Sequence, residues 1–445
     1  TTIVTLLKTV NMIIINTKKY NMKHILLTLL FTPLIGFGQN ILYLGGKAHL
    51  GNGELIDVSA ISVNNGKFEM VANAKTIRIN PQAFDTIIHI YDQHVYPAFI
   101  ATNTTLGITE ISAVRATNDY RETGTFKPHV RSLIAYNAES VIIPTIRSNG
   151  VLLAQIAPQG GSITGSSSVM KLDGWNWQDA VIKADDGIHL NWPRYFVQTG
   201  WWAEPGDIKK TEEYDIQCQE MEDYFIRSKS FYESKSTVND LPMMAMQGLF
   251  SGEKRLYIHA NLQREMTDAI LFAKKMGVKH MVIVGAQEAH KMSAFLKENN
   301  IAVILDRIHR LPATESTGVD VPYKQAAILH EAGVKFAFCY QGDMEAMGQR
   351  NLPFSAGTAV AHGLPYEEAV KALTLNTAEI LGIDEHTGQI KSGMDATFFI
   401  SKGDALDMIG NDVKFAFIKG QAIDLDNKQK ILNRKYRKKY GLEIK

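Results

Sequence analysis

The sequence predicts an α/β protein built on a (β/α)₈ TIM barrel, with a small discontinuous β-sandwich domain formed by strands from both ends of the chain. Three observations support this prediction. Strand-length apolar runs alternate with amphipathic helical stretches in the middle of the chain, short strands with glycine turns precede them, and strands return afterwards. Strand–helix alternation is typical of a parallel sheet with crossover helices, and several such units in a row suit a closed barrel.

The composition is that of an ordinary globular protein. The chain has 445 residues, of which 45% are hydrophobic and 21% charged, and this excludes a disordered, collagen-like or coiled-coil chain. Lys and Arg number 47 against 46 Asp and Glu, so the net charge of +1 gives no electrostatic case for a nucleic-acid partner. The two cysteines, Cys218 and Cys339, are too few for a disulfide scaffold.

Residues 1–39 are predicted to be an upstream extension and a signal peptide. Residues 22–39 contain a short basic start followed by a short apolar run that ends in small residues, which is typical of a secretory signal. The preceding stretch, 1–21, is then over-extended translation. We expect the protein to be exported, periplasmic or extracellular, with no integral membrane span in the mature chain. The alternative is a buried or membrane-anchoring N-terminal helix.

The small β-domain is assigned to residues 40–95 together with 388–432. Strand patterns flank an Asn64-Asn65-Gly66 turn as in a β-hairpin, and the strands after residue 388 are expected to join them. The tail from Asn427 to Lys445 holds eight Lys and Arg residues with Glu443 as its one acid. Such a run is either a solvated helix or frayed end, or a contact with an anionic surface.

The barrel is assigned to residues 96–387. Seven strands are evident in this region. An eighth, at 141–145, lies too close to the strand at 151–158 for a crossover helix between them, so one of the two assignments has to be wrong. Residues 175–250 are interpreted as an insertion, and all five tryptophans lie in their first part. This segment forms either a lid or cleft wall, or aromatic packing against the barrel. The predicted strands are 95–100, 151–158, 168–172, 255–260, 280–286, 301–306 and 335–341.

Several residue strings resemble the amidohydrolase superfamily, specifically its imidazolonepropionase-like, secreted branch. GKFEMVA followed by YPAFIATNTTLG is similar to the opening of the family, and AGVKFAF to its eighth barrel strand. The stretch AVAHGLPYEEAVKALTLNTAEILGI, with TGQIKSGMDATFFI, resembles its closing block. The resemblance implies a (β/α)₈ barrel with a β-sandwich, and one or two metals, commonly zinc, that activate water to hydrolyse C–N bonds.

The resemblance also implies where the metal ligands should lie. The first-strand His-x-His falls on Asn103 and Thr105, and the fifth-strand histidine falls on His259. The sixth-strand histidine falls on Gly285, and the eighth-strand aspartate on Gln341. Only one expected ligand is therefore kept, and neutral amide and hydroxyl oxygens are poor substitutes for imidazole at zinc.

The histidines support this view independently of the resemblance. None of the thirteen is two or four residues from another, so both His-x-His and His-x-x-x-His are absent from the sequence. Lys171 is a candidate for the fourth-strand position. We therefore predict no confident metal site and no confident cofactor, with zinc bound only if the ligands are rearranged.

The candidate site residues follow from this mapping. His259 and Asp343 form a candidate catalytic pair for acid–base chemistry without metal. Asn103, Thr105, Gln341 and Lys171 are predicted to line a substrate pocket at the barrel mouth.

Two function hypotheses remain open. In the first, the chain is an exported amidohydrolase-like protein with a degenerate metal centre, which serves as a ligand-binding or partner subunit or works by a changed mechanism. In the second, it is an active metal-dependent C–N hydrolase of a cyclic amide or dipeptide. The expected partner is a small molecule at the barrel mouth, with a protein partner or a homo-oligomer also open.

Overall fold

The computed structural model describes residues 39–201, 203–312, 314 and 317–443. The predicted extension and signal peptide therefore lie, except for Gln39, outside the described residues, and so does Trp202 of the Trp-rich segment. Within the described ranges, every helix is too short or too polar to span a bilayer.

Seven short strands open the described chain. Four of them form a sheet in the order β5-β4-β1-β6. The predicted hairpin is confirmed: β4 and β5 pair antiparallel, and Asn65 and Gly66 both have positive φ angles at the turn. A Cβ at Gly66 would lie 2.7 Å from the carbonyl oxygen of Lys419, so this turn also needs glycine for close packing. The strands are β1 Ile41–Leu44, β2 Lys47–His49, β3 Leu55–Ile56, β4 Ser59–Asn64, β5 Lys67–Asn73, β6 Thr86–His89 and β7 His94–Pro97.

Eight later strands form the barrel sheet, in the order β17-β16-β15-β14-β11-β10-β9-β8. The remaining pair, β12 and β13, forms a separate exposed hairpin. The strands of this region are β8 Phe99–Thr104, β9 Val151–Ile156, β10 Ile163–Lys171, β11 Val181–Asn191, β12 Phe196–Trp201, β13 Glu204–Lys210, β14 Arg255–Ala260, β15 Met281–Gly285, β16 Ala302–Leu305 and β17 Phe336–Phe338.

Helices cover the outside of the barrel and follow its last strand. The longest, α4, begins two residues after Glu212 and belongs to the segment between β13 and β14. The helices are α1 Ser132–Ala135, α2 Ile143–Arg147, α3 Trp177–Ala180, α4 Tyr214–Glu233, α5 Leu241–Ser251, α6 Gln263–Met276, α7 Ser293–Glu298, α8 Val321–Glu331, α9 Glu345–Gly348, α10 Leu352–Ala361, α11 Tyr366–Leu373, α12 Leu375–Leu381 and α13 Lys428–Lys439.

One barrel strand departs from the parallel pattern. β10 runs antiparallel to both β9 and β11. The other neighbours pair in parallel: β8 with β9, β11 with β14, β14 with β15, β15 with β16, and β16 with β17. The barrel is nearly closed between β17 and β8, where Thr102 Oγ1 donates to the carbonyl oxygen of Phe338 at 3.1 Å. The predicted barrel is confirmed, with two antiparallel connections, β9 to β10 and β10 to β11, in place of crossover helices.

Two of the sequence assignments need correction. The proposed strand at 141–145 is wrong, because α2 begins at Ile143 and Pro144 occupies its first turn, a favoured helix position. The segment 175–250 is only partly an insertion, because it contains the fourth barrel strand, β11. The apolar run of that strand is interrupted by three charged residues, Lys183, Asp185 and Asp186. The pattern of its apolar residues therefore does not indicate a buried strand.

Strands near the end of the described chain complete the small β-domain. They are β18 Phe398–Ser401, β19 Val413–Ile418 and β20 Gln421–Ala422, in a sheet of order β20-β19-β18-β7-β2-β3. β7 and β18 pair antiparallel with Tyr96 opposite Phe399, so the domain is discontinuous as predicted. Its own core packs Tyr43 against the rings of Phe398 and Phe417, with centroids 5.3 and 5.4 Å away.

Candidate functional site at the barrel mouth

The carboxyl ends of the parallel strands face two adjoining cavities of about 490 and 510 Å³. Asn191 at the end of β11, His259 near the end of β14 and Gln341 after β17 line both cavities. This is the end of a barrel at which loops after the strands build binding sites. We call the two cavities together the mouth pocket.

Most of the predicted pocket residues lie in the mouth pocket. Asn103, Thr105, Gln341, His259 and Asp343 all line it. They come from β8, from β14 and from the segment after β17, which are far apart in sequence and are brought together by the barrel. The sequence analysis therefore placed these five residues on one surface.

Lys171 does not line the mouth pocket, in contrast to the prediction from the sequence. It is the last residue of β10 and pairs with Leu153 near the start of β9. Because β10 runs antiparallel to its neighbours, its carboxyl end lies at the opposite end of the barrel. There the ammonium group of Lys171 pairs with Asp179 at 3.3 Å. The fourth barrel strand is β11.

The end of β8 is held by a buried carboxylate. Glu345, the first residue of α9, accepts hydrogen bonds from the Thr104 hydroxyl at 2.7 Å and the Thr105 backbone N–H at 2.6 Å. It also accepts from the Thr105 hydroxyl and from Gln349 Nε2 at 3.0 Å. Burial raises the pKa of Glu345, and these four donors oppose that rise. The Thr105 hydroxyl thus directs its proton to Glu345, which fixes the orientation of the side chain.

Asn103 has a left-handed backbone, with φ of 48°, and its N–H donates to Gln155 Oε1 at 3.1 Å. Gln155 connects it to a polar network inside the barrel. Gln155 Nε2 and the Tyr257 hydroxyl both donate to Asp186 Oδ2, at 2.8 and 2.7 Å, and the Ser167 hydroxyl donates to Oδ1 at 2.8 Å. Burial raises the pKa of Asp186. This network fixes the floor beneath the mouth pocket.

His259 pairs with a second histidine. Its Nε2 lies 2.9 Å from Nδ1 of His189, a fully buried residue of β11 that stacks on Tyr257. Burial lowers the pKa of His259 to about 4 and that of His189 well below its ordinary value, where the neighbouring imidazole also contributes. Both rings are therefore neutral at pH 7, and His259 Nε2 is already engaged.

The lowered pKa of His259 predicts a pH dependence of stability. Its folded-state pKa lies below the unfolded value, so between pH about 4 and 6.5 the unfolded chain binds more protons. The free energy of unfolding should therefore rise as pH increases through this window, by on the order of 3 kcal/mol from His259. Denaturant titrations from pH 4 to 7 should show a flatter pH dependence for His259→Gln than for the parent protein.

The control for this measurement is His129→Gln, which replaces an exposed histidine of the same chain. That variant should keep the pH dependence of the parent. An unchanged slope in His259→Gln would show that its imidazole titrates at its ordinary pKa in the folded state.

Asp343 and His259 share a cavity but are not joined. In the part of the chain that the structure describes, no hydrogen bond links the two side chains, and Asp343 is exposed. The candidate acid–base pair is thus not formed in this structure, and the partner of His259 Nε2 is His189. The buried acid of this loop is Glu345, two residues farther along.

The sixth-strand position is filled by a neighbouring side chain. Gly285 has φ of 94°, and a Cβ there would overlap Asn261 Oδ1. Neither Asn261 Oδ1 nor Gln341 Oε1, both buried atoms, has a hydrogen-bond partner among the described residues. The mouth pocket therefore contains two side-chain amide groups with unused capacity.

These residues do not fit a zinc centre. A hydrolytic zinc site needs three protein ligands and an open position. Among the residues that the structure describes, no group of three His, Cys, Asp or Glu side chains is placed to hold a metal ion. His259 Nε2 and the Thr105 hydroxyl have protein partners, and Gly285 has no side chain.

The second half of the barrel resembles a known family in sequence. Residues 252–423 match the family model described as "Amidohydrolase family". No curated protein matches the chain in a sequence search. The match begins just before β14 and ends after β20, so it includes His259, Gly285 and Gln341.

Solved structures of amidohydrolases and related enzymes share the fold. An amidohydrolase from Thermotoga maritima MSB8 is 22% identical and superposes with a TM-score of 0.72, over 86% of this chain and 99% of that one. A Xaa-Pro dipeptidase with methionine bound in its active site is 15% identical, with a TM-score of 0.52 over 86% and 100% of the chains. An ochratoxinase from A. niger is 15% identical, with a TM-score of 0.51 over 87% and 96%. Identities this low show the fold alone.

Two site residues were missed in the sequence: His189 and Asn261. His189 stands in the run GIHLNW, which follows two aspartates and was assigned to the insertion. Recognising GIHL as a short buried strand would have indicated it. Asn261 follows a barrel strand, at the face where sites are built, and this position was the available signal.

Proposed function

We propose that this chain is an exported protein of the amidohydrolase family whose mouth pocket binds a small polar molecule by hydrogen bonds instead of through a zinc centre. The proposal rests on one observation: other side chains of the protein already contact or fill the positions at which metal ligands are expected. His259 Nε2 faces His189, Thr105 is held by Glu345, and the space at Gly285 is filled by Asn261.

The histidine pair indicates what the pocket offers a ligand. His189 Nε2 is buried and has no partner within the described residues. A buried N–H without an acceptor is rarer than a bare acceptor, so we infer that His189 carries its proton on Nδ1 and donates to His259 Nε2. His259 then presents an Nδ1–H to the mouth pocket, which suits a carbonyl or carboxylate oxygen.

Asn261 and Gln341 complement this donor. Their buried oxygens lack donors within the described chain, so a ligand that supplies N–H or O–H groups would satisfy them. Arg121 and Arg194 also line the mouth pocket and carry positive charge. Together these groups suit a small molecule that carries both donors and acceptors.

The first test is the metal content of the protein. Elemental analysis should be made on protein purified without chelator or His-tag, before and after incubation with zinc. We expect far less than one zinc per chain in both samples, because the ligand set is incomplete. Stoichiometric zinc would overturn the proposal and favour the active metal-dependent hydrolase with rearranged ligands, for which cyclic amides and dipeptides are the substrates to assay.

Export rests on residues 22–39 and on the likeness to the secreted, imidazolonepropionase-like branch. Expression of the full sequence followed by N-terminal sequencing of the mature protein tests it. A mature chain that begins near Gln39 is expected, and a chain that keeps residues 22–38 would contradict the prediction.

A further inference from the structure

The C-terminal helix α13 is ordered but contributes no residue to the core. None of its residues from Lys428 to Lys439 is buried. Helices of this length are marginal alone and normally gain their stability by burying an apolar face. Here the side chain of Asn427 caps the first turn, and Gln429 accepts a hydrogen bond from Thr145 of α2 at 2.9 Å.

Apolar side chains are nevertheless exposed along this helix. Leu432, Tyr436 and Tyr440 are 38%, 50% and 67% exposed. They are spaced by four residues, so they form one stripe along the helix and its C-cap. We call it the α13 stripe. Ile431, also exposed, lies on a neighbouring face.

Basic side chains border the α13 stripe on both sides. At 100° per residue, Lys428, Lys435 and Lys439 lie along one edge and Lys430 and Arg437 along the other. The helix has seven Lys or Arg residues and no acid, although the whole chain carries a net charge of only +1. Arg434 forms an ion pair with Asp426 before the helix, and Lys430 and Arg437 donate hydrogen bonds to the backbone carbonyls of Leu425 and Glu443.

We propose that α13 binds the surface of an anionic phospholipid bilayer, with the α13 stripe in the headgroup region and the flanking bases on lipid phosphates. Apolar stripes with tyrosine, flanked by long basic side chains, suit the bilayer interface, because these side chains can keep their charges among the headgroups. This surface lies outside the mouth pocket and does not depend on the function proposed for it.

Charge and shape favour lipid over the other occupants. A second copy of the helix would place seven positive charges against seven. The phosphates of a nucleic acid would pair with the Lys and Arg side chains, but the three stripe side chains would stay in water. An anionic bilayer satisfies both features at once.

Vesicle co-sedimentation of the full chain tests this proposal, with vesicles of phosphatidylcholine alone and of phosphatidylcholine mixed with phosphatidylglycerol. We expect stronger binding to the anionic vesicles, and a loss of this difference as salt is raised. The triple variant Lys428→Gln, Lys435→Gln, Lys439→Gln should bind anionic vesicles at least about tenfold more weakly. The variant Leu432→Ser, Tyr436→Ser should also bind them several-fold more weakly.

The matched control replaces three exposed lysines elsewhere, Lys75→Gln, Lys279→Gln and Lys297→Gln, and should bind like the parent. All variants share residues 1–38, so any binding by that stretch is common to them. Equal binding of the stripe variant and the parent would overturn the proposal, as would equal binding of the parent to both vesicle types. Binding to a DNA oligonucleotide without binding to vesicles would overturn it in favour of a nucleic-acid surface.

Discussion

Replacing Glu345 with alanine is expected to lower the free energy of unfolding by about 3–5 kcal/mol. The change leaves the hydroxyls of Thr104 and Thr105, the Thr105 N–H and Gln349 Nε2 without their acceptor in a buried site. Chemical denaturation monitored by tryptophan fluorescence would measure it. Because these donors fix the end of β8, the same variant should also loosen the wall of the mouth pocket.

The variant Glu345→Gln distinguishes the stability lost with the hydrogen bonds from the stability lost with the side-chain volume. It keeps one acceptor oxygen and the same shape, so it should lose less stability than the alanine variant. If alanine and glutamine variants were both as stable as the parent protein, the carboxylate would not be holding β8.

Replacing Asp186 with alanine should also lower the free energy of unfolding by about 3–5 kcal/mol. Tyr257, Gln155 and Ser167 would each lose the acceptor that they share inside the barrel. The unfolding midpoint in urea should fall, and a comparison of m-values would show whether the native state also becomes less compact.

The neighbouring Asp185 provides a matched control. It pairs with Arg131 at 2.8 Å on the surface, and surface ion pairs contribute at most about 1 kcal/mol. Asp185→Asn should therefore change the free energy of unfolding by less than that. Equal losses at the two positions would contradict the role assigned to the buried network.

The fold was predictable where local pattern and tertiary environment agree. The hairpin at Asn65-Gly66 and strands β14 to β17 have clear turn or apolar signals, and the structure confirms them. β11 was missed because its charged residues are satisfied only in the barrel, where Tyr257 and Gln155 bind Asp186. These hydrogen bonds depend on residues that are distant in sequence, and the periodicity of apolar residues carries no information about them.

The mouth pocket was predictable to a similar degree. The sequence predicted that Asn103, His259 and Gln341 lie together, because each falls at the end of a barrel strand and a barrel gathers these ends at one face. The partner of His259 was missed because His189 comes from a strand 70 residues earlier, in a segment that was interpreted as an insertion. The position of Lys171 was mistaken because the turn at Gly160-Gly161 joins β9 and β10 as a hairpin, whereas a βα loop was expected there.

The pairing of β7 with β18 also constrains biosynthesis. A ribosome releases β7 some 300 residues before β18, so a nascent chain cannot complete the small domain until β18 has been synthesised. Until then the apolar side chains of the first strands, among them Tyr43 and Phe68, lack their partners Phe398 and Phe417. Chains truncated before residue 398 should consequently expose these strands and require chaperones or be degraded.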